Sequence, residues 1–85
     1  MINIELTIEE KKQFQYILPI QGSIMALEMV ENILLKLNGD LNIVEFEEEE
    51  YTFIVDMIMF LDNQKKLHFQ SLSLIKKFLN TKKGE

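Results

Sequence analysis

The chain contains no cysteine in its 85 residues, so neither a disulfide framework nor a thiolate zinc site can hold the fold, and a thiol nucleophile is excluded. Arginine is missing too, and all nine cations are lysine. Without a guanidinium there is no bidentate fork for phosphate or guanine, which disfavours direct nucleic-acid binding. Histidine occurs once, as His68, with no serine, cysteine or acidic motif around it to form a triad, and a lone histidine gives no H-E-x-x-H metal site. No stretch approaches the roughly 18 continuous apolar residues that cross a bilayer, and the amino terminus lacks a basic region followed by an apolar run and a cleavage site. The expectation is a cytoplasmic protein with neither a membrane nor a nucleic acid as its direct partner.

What the chain does have is a 47% hydrophobic fraction, which must supply the stability. Residues 1–85 read as one small domain with a thin core, to which a partner or self-association would add stability. The net charge of −5 conceals an asymmetry: residues 1–62 carry thirteen acids against three lysines, and residues 63–85 carry six lysines against one acid. Such a split marks either an interaction tail or a basic last helix lying against an acidic body.

Sliding the chain by forty positions places IELTIEE (4–10) over VEFEEEE (44–50), and a slide of forty-five places ALEMVENIL (26–34) over SLSLIKKFL (71–79). Either these matches mark two pseudo-repeats, 2–37 and 42–81, each an extended segment and two helices, or they are the chance recurrence of apolar patterns that any helical chain shows. The fold class predicted is mainly α: four short helices in two helical hairpins, joined by a small two-stranded β ribbon of residues 2–6 and 41–46. Helix 1 starts after Thr7, where T-I-E-E makes a capping box with Glu10, and runs to Pro19. Helix 2 spans about 22–37 and stops at N-G-D, where Gly39 suits a left-handed cap. Helix 3 covers 47–62, helix 4 covers 69–81, and K-K-G-E (82–85) is a frayed tail.

In EFEEEEYTFIVDMIMFLD (45–62), the glutamates fall in the first turn of helix 3, where the positive end of the helix dipole favours anions. The remainder of that helix is apolar on nearly all sides. Tyr51, Ile54, Val55, Ile58 and Leu61 form one stripe, Phe53, Met57 and Phe60 another, and Met59 interrupts the polar face. In helix 2, Ile24, Leu27, Val30, Ile33, Leu34 and Leu37 suffice for a core stripe, so Met25, Met29 and Leu35 are surplus. Methionines on both helices either fill gaps in a small core or line an adaptable groove. The candidate partner-binding residues are therefore Met25, Met29, Leu35, Phe53, Met57, Met59 and Phe60. Glu45, Glu47, Glu48, Glu49 and Glu50 form a candidate acidic surface.

Catalytic and cofactor chemistry finds no support. Consecutive glutamates on a helix spread around it instead of converging on a cation. N-G-D-L-N-I-V-E-F-E has oxygen donors at Asp40, Asn42 and Glu47 but places Gly39 ahead of them, unlike an EF-hand loop. Gly22 and Ser23 open helix 2 without the lysine or second glycine of a P-loop. No catalytic residue, metal ligand or cofactor is expected.

The stretches LTIEEKKQFQYILPIQGSIMALEMVENIL and LDNQKKLHFQSLSLIKKFL, rich in Ile, Leu, Lys, Glu, Asn and Phe, resemble in style the small accessory proteins of phages and mobile elements of low-GC Gram-positive bacteria. The resemblance carries no diagnostic motif and assigns no residue a role. It implies either chaperoning of virion components, such as a tail tape-measure protein, or binding and inhibition of a host protein in the host cytoplasm. The functional expectation is a non-enzymatic protein-interaction module with an apolar groove on helices 2 and 3, holding another protein or a second copy. The alternative is an acidic DNA mimic that inhibits a nucleic-acid-binding protein.

Overall fold

A computed structural model describes residues 2–81, so the tail at 82–85 lies outside the described residues. The predicted class is the one observed: four α-helices and a two-stranded antiparallel sheet. Strands β1 (Ile2–Glu5) and β2 (Ile43–Phe46) pair with Ile4 opposite Val44 and Ile2 opposite Phe46. Alternation along them buries Ile4, Val44 and Phe46 and leaves Asn3, Glu5 and Glu45 in solvent.

Helix α1 (Ile8–Lys12) has the predicted Thr7 capping box. It does not run on to Pro19 but tightens into a 3₁₀ helix, Gln13–Tyr16. Pro19 disfavours a helical conformation at Leu18, and the tighter winding brings Phe14 and Ile17 onto one buried side. Helix α2 (Ile24–Leu37) is capped by the Ser23 hydroxyl, which accepts from the Ala26 amide. Gly39 is not left-handed as expected, since the helix closes with Asn38 in the right-handed region. The Lys11 ammonium then donates to the Gly39 and Leu41 carbonyls that follow, at 3.1 and 2.6 Å. The predicted fourth helix divides into a 3₁₀ turn, Phe69–Ser71, and α4 (Leu72–Asn80).

The left-handed cap occurs instead after α3 (Glu48–Asn63), where Lys65 has φ of 57°. Its amide donates to the Asp62 carbonyl and the Lys66 amide to that of Leu61, the pair of bonds that defines a Schellman motif. A side chain in this conformation costs roughly 1–2 kcal/mol, a cost that glycine escapes. Lys65→Gly is therefore expected to raise the unfolding free energy by about 0.5–1 kcal/mol in urea titrations, an unusual gain from a glycine.

The strand register relates the two β-α-α units by the same forty-residue shift. Ile4 faces Val44, the residue forty positions on from itself. Ile2 faces Phe46, and in the reciprocal place the Leu6 amide donates to the Asn42 carbonyl at 2.7 Å. Buried residues follow the same shift, Leu6 with Phe46, Glu10 with Glu50, Phe14 with Ile54 and Leu18 with Ile58. For the second helices the shift is forty-one, matching Ile33 with Leu74 and Leu37 with Phe78. The offset of forty-five in the letters is one helical turn out, because apolar residues recur every three or four positions and match almost as well after a slip of four.

Both units feed one hydrophobic cluster. At its centre Phe78 meets Phe14 edge-on at 5.7 Å, Phe46 at 5.5 Å and the stacked Tyr51 ring at 5.7 Å. The Tyr51 hydroxyl is shared between the carbonyls of Phe78 and Thr81, which closes the end of α4. Lys11, forty positions earlier, does the same for α2.

Candidate interaction face

The most constrained polar groups are two buried glutamates, placed by the pseudo-symmetry in equivalent roles. Glu10 Oε1 accepts from the Thr7 amide at 2.9 Å and from Lys77 Nζ at 2.6 Å, while Ser73 donates to Oε2. Lys77 also donates to the Glu5 carbonyl at 2.6 Å. In the other unit, Glu50 Oε1 accepts from the Glu47 amide at 2.8 Å and from Lys36 Nζ at 2.6 Å, and Lys36 donates to the Glu45 carbonyl at 3.0 Å. Each glutamate thus completes its own unit's capping box and holds the last turns of the other unit's second helix. Burial alone would raise the Glu10 carboxyl. The hydrogen bonds from Lys77, Ser73 and the Thr7 amide, with the charge of Lys77, outweigh it and hold Glu10 below its ordinary value. A carboxylate so engaged has a structural role and no free proton to transfer near neutrality.

Glu50 therefore leaves the predicted acidic surface: it is buried against Lys36, whereas Glu45, Glu47, Glu48 and Glu49 are exposed. A run of four glutamates starting at a helix N-cap must turn one side chain inward, and the capping-box geometry selects Glu50. The basic last helix meets the acidic body in the same manner, through Lys77 and Glu10.

The apolar surplus concentrates on α2. Its buried side is Val30, Ile33 and Leu37, with Met29 half-buried against the core. Ile24, Leu27 and Leu34, expected in the core stripe, are exposed. Together with Leu35 they line an open hollow of about 470 Å³ whose polar members include Glu28 and Glu31. Helical spacing alone supports either stripe as the inner one. The deciding signal was present in Glu28 and Glu31, one turn from Ile24, Leu27 and Leu35, which mark that side as solvated.

Of the seven candidate partner-binding residues, Leu35 alone lines this hollow. Met25 is 81% exposed but lies on another flank of α2. Phe53 and Met57 are half-buried and packed on the core, as is Met29. Met59 and Phe60 are exposed on α3 and do not line the α2 hollow. The single groove expected on helices 2 and 3 is thus divided, because α3 uses Phe53 and Met57 to widen its contact with the core while its main neighbours are α4 and β2.

His68 lies tilted against the Tyr16 ring on the surface, with the ring centroids 4.6 Å apart. Among the described residues no group of three or more His, Asp or Glu side chains is placed to hold a metal ion, and no helix is long and apolar enough to cross a membrane. Comparison of the chain with protein-family models, curated proteins and solved structures gives no match.

Proposed function

We propose that the protein is a non-enzymatic protein-interaction module that docks a helix on the outer face of α2. The observation that carries this reading is a difference between the two units. Leu35 is 63% exposed where its counterpart is the lysine Lys76, and Leu34 is exposed where its counterpart Ile75 is buried. The fold thus accepts a cation at the position of Leu35, so the apolar residue answers to something other than the fold. In the second unit α3 continues for 16 residues and packs along α4; in the first, α1 and its 3₁₀ extension end at Tyr16, and α2 packs mainly on β2. The outer face of α2 therefore lacks a helical neighbour of the kind that α4 has, and a helix laid on it would bury Ile24, Leu27, Leu34 and Leu35. A setting in virion assembly or in the binding of a host protein is consistent with so small a module.

The test is retention of proteins from host lysate by the tagged wild type and by Leu35→Lys, at low and high salt, with mass spectrometry. A partner held at high salt by the wild type and lost by Leu35→Lys, with the helical circular dichroism signal unchanged, is the expected result. A partner lost at high salt and indifferent to Leu35 would instead assign binding to the exposed acids Glu45 and Glu47 to Glu49, as a DNA mimic requires.

A further inference from the structure

Taking the docking face of α2 as given, we infer that its occupant is a second copy of this chain, related by a two-fold axis that sets the two α2 helices antiparallel. The face has a charge order along its length. Glu28 and Glu31 flank its middle turns. At the carboxyl-terminal end Leu34 also borders a second hollow, whose lining includes Ile8 and the charged residues Lys11, Lys12 and Asp40, two cations against one acid. Ile8 is 68% exposed, which extends the apolar strip from α2 onto α1.

Among the described residues the ion pairs are Lys36 with Glu50 and Lys77 with Glu10, so Lys12, Glu28 and Glu31 have no partner of opposite charge there. A helix of uniform charge would meet repulsion at one end of this face. An antiparallel second copy brings Glu28 and Glu31 of each α2 toward Lys12 of the other, and a two-fold axis forms that contact twice. Leu34 and Leu35 then fall near the axis, where each packs against the same pair in the other copy. Helix α2 is about 21 Å long at 1.5 Å per residue, so the contact belongs to the small end of the interface range, below about 1,200 Å² in total.

Sedimentation equilibrium of the full chain from about 1 µM to about 1 mM, near physiological salt, tests this. The wild type is expected to pass from monomer to dimer, and Leu35→Lys to remain monomeric with unchanged circular dichroism. Lys12→Glu and Glu31→Lys are each expected to weaken the dimer about threefold to tenfold, and the double variant to restore it. A monomeric wild type, a dimer indifferent to Leu35→Lys, or a charge swap that fails to rescue overturns the inference. Leu35-dependent capture of another protein by a monomeric wild type would overturn the self-contact while leaving the docking face intact. Absence of both would overturn the reading beneath it as well.

Discussion

Phe78→Ala is expected to cost about 3–5 kcal/mol, a large part of the 5–15 kcal/mol typical of a folded domain. The ring is fully buried and touches aromatic rings from three other elements, Phe14 after α1, Phe46 on β2 and Tyr51 on α3. Its removal leaves a void where the two units meet, and neither unit can close the void without shifting the other. Aromatic pairs of this geometry add about 0.5–1.5 kcal/mol each beyond their buried area. The comparison variants are Phe60→Ala and Phe69→Ala, whose rings are 55% and 85% exposed and whose loss is expected to cost less than about 1 kcal/mol. Urea unfolding followed by far-UV circular dichroism separates the two classes. A cost below about 1 kcal/mol for Phe78→Ala would mean that the three-ring contact does not organise the core.

Much of this architecture is legible in the letters, and the misplacements at the candidate interaction face share one cause. The Thr7 capping box, the two strands and the element order follow from local rules that act within four or five residues. The forty-residue shift is visible too, because IELTIEE and VEFEEEE keep their apolar and acidic positions in step. What local rules cannot decide is which of two apolar stripes faces inward. Helix α2 offers Ile24, Leu27 and Leu34 on one side and Val30, Ile33 and Leu37 on the other. The choice depends on β2 and on the Lys36 contact with Glu50, fourteen residues away along the chain. Glu10 and Glu50 are hidden for the same reason. An acid at the third position of a helix is expected in solvent, and only the lysine of the opposite unit explains its burial. Of the candidate residues read from the letters, Leu35 alone lines the hollow on α2.

Those two ion pairs make the second large prediction. Glu10→Ala removes the acceptor for the Thr7 amide, releases the exposed Ser73 hydroxyl to water and leaves the Lys77 ammonium, about a third exposed, with only the Glu5 carbonyl. The expected cost is about 2–4 kcal/mol, less than for a fully enclosed pair because water reaches the lysine. Lys77→Ala is expected to cost less than Glu10→Ala, and the double variant less than the two summed, by a coupling of about 1–3 kcal/mol. Acidity separates charge from shape. Glu10 is held below its ordinary value of 4.5, so in the folded state it binds protons less readily than in the unfolded state. Its ionic contribution is thus complete above the unfolded value and disappears as the pH falls from about 4.5 through the lower folded value. Glu10→Gln preserves the capping-box shape but carries no charge. Its stability is expected to start lower near neutrality and to decline less steeply below pH 4.5 than that of the wild type. Parallel slopes for the two proteins across that window would show that Glu10 serves as a hydrogen-bond acceptor alone, and that the ion pair with Lys77 adds nothing to the union of the two units.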